Sequence, residues 1–304
     1  MSKPLVIYDN DLAGDFDGTV GLAVLFGLEK EGLIELYGVG LSDVSYWGPI
    51  AVDNAIRAIL KREIPIGVMF DKEPDLSPKT HAKASFDRFG AKISWYLCQD
   101  VVRLFRYLLA TAPDKSVILI SAGPMTNIAN LLKSEGDEII ELSGRELIEK
   151  KVTKYIAMAG DVHVTEFKEY NVRCDVDAAR YVFDNFPRDV PLIVVDFRVP
   201  LNTLTGDIFG KAPDYYPIKA QWEWFGDPEF KRPSWDPYAT LLTHPRWDKW
   251  FKLVGPGKIH IDNDGRTKFV KGGANQYYVE HKEGITNVYM RNVIHSIIER
   301  GFSD

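Results

Sequence analysis

The segment Asp9-Asn10-Asp11-Leu12-Ala13-Gly14-Asp15-Phe16-Asp17-Gly18 places four carboxylates directly after a short apolar run. Like charges crowded this closely repel, and a hard divalent cation among them removes the repulsion. Ligands that are all oxygen favour Ca2+ or Mg2+ over zinc. The plainer alternative is a solvated acidic turn at a helix start, where Asp complements the helix dipole. Further along, Gly123-Pro124-Met125-Thr126-Asn127 reads as a sharp turn beside a ligand, with Pro124 suited to the first helical position, or as an ordinary strand-to-helix turn. Glu169 and Asn171 face one side if their segment is extended, and otherwise lie in a surface loop. Trp235 stands beside Asp236 in an aromatic-rich region, where it stacks on a ligand or fills core.

Elements that could position these groups follow from periodicity. Residues 4–8 read as a buried strand and 19–31 as a helix ended by Gly32. The alternation continues with strand 34–41, helix 49–61, strand 65–69, helix 92–112, strand 116–121, helix 124–134, strand 153–159, helix 176–184 and strand 191–195. Strand–helix alternation predicts an open, doubly wound, mostly parallel α/β sheet with helices on both faces. The acidic loop then sits at the carboxyl end of the first strand, where such sheets bind ligands. From about residue 200 the pattern loosens into a stretch holding Tyr215, Tyr216, Trp222, Trp224, Phe225, Trp235, Trp247 and Trp250. It is expected to cap the sheet, within a single domain spanning residues 1–304. Asp53 and Asn54 read as an exposed helix face.

Composition narrows the function classes. The chain has 304 residues, 43 Asp+Glu against 37 Lys+Arg and 45% hydrophobic residues, so disorder is excluded and about 75% of the unfolded surface is buried. A net charge of −6 offers no broad basic surface, and nucleic acid is not an expected partner. Cys98 and Cys174 have no paired spacing and read as reduced core thiols. No run of about 18 apolar residues occurs, so no membrane partner is expected and a cytoplasmic location is. His81, His244, His260, His281 and His295 show no metal-ligand spacing; His163, between Met158 and Asn171, carries more weight.

Two motif readings compete at the acidic loop. As an EF-hand loop it places Val20 where a bidentate Glu is needed, and that reading fails. Asp15-Phe16-Asp17-Gly18-Thr19-Val20 matches the nucleophile motif of haloacid-dehalogenase-like phosphatases, with Asp15 as nucleophile. That motif ends a hydrophobic strand, whereas Leu12-Ala13-Gly14 precedes Asp15 here, so the phosphatase stands as an alternative.

Four segments taken in order resemble the inosine–uridine-preferring nucleoside hydrolase family: the acidic loop 9–18, Ser121-Ala122-Gly123-Pro124-Met125-Thr126-Asn127-Ile128, the stretch from Met158-Ala159-Gly160 to Glu169-Tyr170-Asn171 and Asp175, and Ser234-Trp235-Asp236-Pro237. The resemblance implies cleavage of the N-ribosidic bond of nucleosides with a calcium ion, in a homo-oligomer (dimer or tetramer) serving purine or pyrimidine salvage. It makes Asp11 a calcium ligand and general base, Asp236 a second ligand and Ala122 a ligand through its main-chain oxygen. Glu169 and Asn171 hold ribose hydroxyls, with Met158 and His163 beside the substrate. Gly18 stands where the distant branch has its last Asp, so Asp15 or Asp17 is expected to take over as metal ligand, Asp17 also facing the ribose. Trp235 stands where some members have a histidine that protonates the leaving base. An indole cannot do so, but it stacks on a nucleobase; Trp222, Trp224, Tyr215, Tyr216 and His163 are other local candidates for base contacts. The alternative that Gly18 opens is a riboside-binding relative without turnover.

Overall fold

Runs such as Val117-Ile118-Leu119-Ile120 lack alternation because both sides of their strand meet core. In the computed structural model, which describes residues 3–164 and 166–303, Ile118 and Ile120 enter one apolar layer while Val117 and Leu119 enter the other. The first strand divides in the same way, with Val6 and Tyr8 on one side and Ile7 on the other. Helices cover both faces, as a mostly parallel sheet requires.

In chain order the first half runs β1 (Leu5–Asn10), α1 (Phe16–Lys30), β2 (Glu35–Leu41), α2 (Gly48–Leu60), β3 (Ile66–Val68), α3 (His81–Phe89), β4 (Gln99–Asp100) and α4 (Val101–Thr111). Next come β5 (Val117–Ala122), α5 (Thr126–Lys133), α6 (Gly144–Lys151), β6 (Val152–Met158), α7 (Tyr170–Cys174), α8 (Val176–Asn185) and β7 (Leu192–Val195). The last third holds β8 (Leu204–Thr205), α9 (Pro217–Glu223), β9 (Arg232–Pro233), α10 (Trp235–Leu241), β10 (Phe251–Ile261), β11 (Thr267–Lys271), β12 (Gln276–His281) and α11 (Asn287–Glu299).

Among the described residues the main sheet has ten strands in the order β11-β10-β12-β7-β6-β5-β1-β2-β3-β4. Every neighbour pair is parallel except β10 with β11 and β10 with β12. The chain builds outward from β1 through β2 to β4, then returns to β5 on the other side of β1. The strand order therefore reverses at β1 and β5, and a crevice opens at their carboxyl ends. Beside them α1 is buried from Phe16 to Leu28, a helix apolar on all sides and enclosed by others.

Several expectations change. The helix expected over 92–112 begins only at Val101, because Gln99 and Asp100 pair with β3 and the Asp100 side chain caps α4 through the Arg103 N–H at 2.9 Å. The turn at Gly123 reaches its helix at Thr126, so Pro124 precedes the helix. Asp53 and Asn54 are buried: Asp53 receives Arg57 Nε at 2.8 Å, and Asn54 Nδ2 donates to Ser85 Oγ and the Gly90 carbonyl. Cys98 is half-buried and Cys174 is exposed, so neither is a core thiol. The last third does more than cap the sheet, since it contributes three strands and α11. Among the described residues no helix is long and apolar enough to cross a membrane.

Candidate active site

Asp11 follows the last residue of β1 and is 7% exposed. The loop around it is tied down locally: the Leu12 N–H donates to Asn10 Oδ1 at 2.9 Å, and the Gly14 N–H donates to the Asp11 carbonyl at 2.7 Å. Asp43, from the segment after β2, accepts the Ala13 N–H at 2.9 Å and the Ser45 N–H at 3.2 Å; burial pushes its carboxyl up to about 6. At the end of β5, Gly123 passes so close that a Cβ there would lie 2.9 Å from Asp11 N and closer still to Ser42 Oγ. Glycine is required there for approach, whatever its dihedral angles.

Asp11 opens onto a cleft of about 610 Å³ that also touches Asp15, Asp17, Ala122, Met158, Glu169, Asn171, Trp235 and Asp236. The carboxyl ends of β1, β5 and β6 thus meet the first turns of α1, α7 and α10. Of the residues singled out for the site from the sequence, His163 is not on this wall, nor are the four aromatic candidates for base contacts. His163 Nε2 lies 3.4 Å from Asp196 Oδ2, and its ring stands edge-on to Tyr278. Trp222 is core, Tyr216 is buried, Tyr215 donates to the Phe302 carbonyl and Trp224 is exposed. None of these four lines the cleft.

The acidic loop sorts its own carboxylates. Asp15 is gripped at two points by Arg232, Nε to Oδ1 at 3.0 Å and Nη2 to Oδ2. Asp17, one residue inside α1, stays in contact with the Asp15 carboxyl and accepts the Asp236 N–H at 3.3 Å. Phe16 between them buries its ring against Phe209, Phe225, Phe230 and His81. At Gly18 a Cβ would meet Leu12 Cα at 3.0 Å and Asp236 Oδ2 at 3.3 Å, so any side chain there would press on its neighbours. The phosphatase reading loses its geometry as well, because Asp15 lies beyond the strand end and both its oxygens are engaged.

The cleft concentrates acidic groups whose charged forms burial disfavours. The carboxyls of Asp11, Asp17 and Asp236 all sit well above the usual carboxylate range, first through burial and then through one another and the nearby acids. Glu169 is raised by burial, while backbone N–H groups pull it back: Gly160 and Val172 donate to Oε2 at 3.0 and 3.1 Å, and Asn171 to Oε1 at 2.9 Å. Glu169 is thus the N-cap of α7, and its segment is not extended. Glu169 and Asn171 reach the cleft because the cap folds them together. Asn171 Nδ2 donates to the Met158 carbonyl at 3.1 Å, which turns Oδ1 toward other partners.

Trp235 lies parallel to Phe197, centroids 5.1 Å apart, with its indole N–H on the Phe197 carbonyl at 3.0 Å. Three wall residues were not singled out from the sequence: Phe197, Arg232 and Tyr170. Tyr170 stood between two chosen neighbours; Arg232, four residues before Asp236, shows no local pattern. The Tyr170 phenol is pushed up to about 12, chiefly by Cys174 and then by burial.

The donor set fits a hard cation in kind. Among the described residues no Lys or Arg pairs with Asp11, Asp17 or Asp236. Each is a buried oxygen donor whose charge its neighbours disfavour, and a cation would reverse that penalty. No three acidic, His or Cys side chains among the described residues already stand at metal-binding spacing, so the acids share the cleft without forming a finished cage.

The family described as inosine-uridine preferring nucleoside hydrolase matches the chain over residues 6–265. Solved structures with this fold include a plant nucleoside hydrolase, at 15% identity over 99% of each chain and a TM-score of 0.70. The inosine-uridine preferring nucleoside hydrolase of Bacillus anthracis is 18% identical over 98% of this chain and 99% of its own, with a TM-score of 0.68. The type III effector protein XopQ, complexed with adenosine diphosphate ribose, is 15% identical over 99% and 94%, with a TM-score of 0.67. At these identities the likeness is one of fold. No curated protein matches the chain in sequence.

Proposed function

Because the chain belongs to the inosine-uridine preferring nucleoside hydrolase family, and is by that membership a nucleoside N-ribohydrolase, we propose that its cleft works with Ca2+ and uses Asp11 as general base. Asp11, Asp17, Asp236 and the main-chain oxygen of Ala122 would hold the ion. Asp15 is left out of that set because both its oxygens are on Arg232. One observation carries the reading: acids from the start of α1 and the start of α10 meet Asp11, Glu169 and Asn171 in a single cleft. Residues 1–304 are taken as one working domain, since the walls of that cleft run from residue 11 to residue 236.

As the C–N bond lengthens, the ribose gains positive charge, and a cavity lined by carboxylates stabilises that charge more than it stabilises the neutral sugar. Ca2+, when bound, supplies a fixed charge that gathers ribose hydroxyls and water, and such positioning is worth up to ~7–11 kcal/mol in favourable cases. Asp11 accepts the proton of the attacking water, and its buried carboxylate binds a proton more readily than an exposed one. Glu169, pinned by three backbone N–H groups, and Asn171, pinned through Nδ2, hold ribose hydroxyls with little loss of side-chain freedom. Trp235 gives the base a flat face.

Ribose release from inosine and from uridine tests this, measured with calcium, with a chelator and for Asp11→Asn. Release that the chelator stops and calcium restores is expected, with a loss of about 10²–10⁴ in kcat for the variant. Release insensitive to the chelator would remove the metal role, and an unimpaired Asp11→Asn would remove the base.

A further inference from the structure

Trp235 cannot protonate a departing base: an indole N–H is no acid at neutral pH, and this one is spent on the Phe197 carbonyl at 3.0 Å. Asn171 Nδ2 is spent on Met158. The wall residue that still carries positive charge is Arg232, whose guanidinium carbon lies 5.7 Å from the centre of the Trp235 ring. Asp15 takes Nε and Nη2, which locks the planar fork. Nη1, with its two N–H bonds, has no acceptor among the described residues. The guanidinium lies over the Trp235 ring and on the wall of the cleft, so a base bound beside that ring comes within reach of this nitrogen.

On the reading of the cleft as a riboside site, we infer that Arg232, oriented by Asp15, stabilises the leaving nucleobase by donating from Nη1 to an oxo or ring-nitrogen acceptor on its edge. Water oxygen bonds to the anomeric carbon, one water proton goes to Asp11, and the C–N electron pair leaves with the base. The base takes a proton from solvent, and Arg232 neither gains nor loses one. A preorganised donor aimed at developing negative charge acts in the transition state more than in the ground state. Because a guanidinium has donors only, it favours oxo bases such as hypoxanthine and uracil and sets donor against donor on the amino edge of adenine or cytosine. Asp15, which contacts Arg232 and not the base, is the positioning residue.

The test compares inosine with p-nitrophenyl riboside, whose phenolate leaves without help. Arg232→Gln should lower kcat/KM for inosine by about 10²–10³, lower turnover of p-nitrophenyl riboside by a much smaller factor, and narrow the preference for inosine over adenosine. Added guanidinium ion should restore inosine turnover in Arg232→Ala, which a purely structural role would not allow. Equal losses on both substrates would overturn the assignment and leave Arg232 as a brace for the acidic loop. An unchanged inosine rate, or a loss confined to Tyr170→Phe, would overturn it too. A wild-type protein that turns over neither riboside would remove the reading of the cleft itself, and this inference with it.

Discussion

The main-chain N–H of Asp236 donates to Asp17 Oδ2 at 3.3 Å, joining two acids 219 residues apart. The contact fixes the start of α10 against the start of α1. Both helices thereby present a buried carboxylate and their positive amino ends to one cleft. The arrangement is costly without a cation, because burial lifts both carboxyls and neighbouring acids, Asp15 for Asp17 and Asp17 for Asp236, lift them further.

Removing one of these charges should separate stability from metal binding. For Asp17→Asn, melting in the presence of a chelator is expected at a higher temperature than for wild type, because a buried repulsion is relieved. The calcium-induced rise of the wild type, about 2.7 kcal/mol at a hundredfold excess over Kd, should vanish. Thermal melts with chelator and with calcium read both effects; an undiminished calcium response would exclude Asp17 as a ligand.

Glu169 caps α7 and is proposed to hold a ribose hydroxyl, and two variants can divide these roles. Glu169→Ala loses the cap of α7 and should destabilise the protein by about 0.5–2 kcal/mol, besides weakening riboside binding. Glu169→Gln keeps one acceptor oxygen but sets its amide NH2 against a backbone N–H, so denaturation should place it between Glu169→Ala and wild type, while KM for inosine should rise. If Gln restores KM as fully as it restores stability, Glu169 only shapes the loop.

Gly123→Ala should damage activity through position alone. The new methyl would press on Asp11 N and Ser42 Oγ, and overpacking of this kind costs about 1–3 kcal/mol. Because the push falls on Asp11, kcat should drop by more than the stability loss would suggest. A folded variant with wild-type kcat would show that the β1–β5 approach leaves Asp11 where it was.

Acid should loosen the acidic loop through His81. Its Nε2 contacts the Leu12 carbonyl at 2.9 Å, and burial lowers its pKa to about 4. The unfolded chain binds a proton near the ordinary value of about 6.5, so this residue's contribution is complete above that pH and is lost as pH falls toward 4. The difference amounts to up to about 3 kcal/mol. His81→Gln should therefore be less stable than wild type at neutral pH, with the gap closing in acid; a gap constant across that window would show that His81 titrates normally.

The alternation of strands and helices, the parallel sheet and the acid loop at the end of β1 were all legible in the chain, because runs such as Leu119-Ile120 and turns such as Gly123 are local patterns. So was the meeting of Asp11 with Asp236, through resemblance. Among the elements that were missed, α3, α6 and α7 are short; α9 to α11 and the antiparallel strands β10 to β12 lie beyond residue 195, where the strand–helix alternation loosens, and β12 joins the sheet only through β7, remote in the chain. Which of the two acids Arg232 takes was decided only in three dimensions. Asp15 and Asp17 are equal candidates by spacing, but Arg232 takes Asp15 across 217 residues, and Phe16 sinks into an aromatic cluster that turns Asp17 toward Asp236. An ion pair and a buried ring depend on partners remote in the chain, so no neighbouring residue records them. Side-chain type came from the sequence, and side-chain direction from packing.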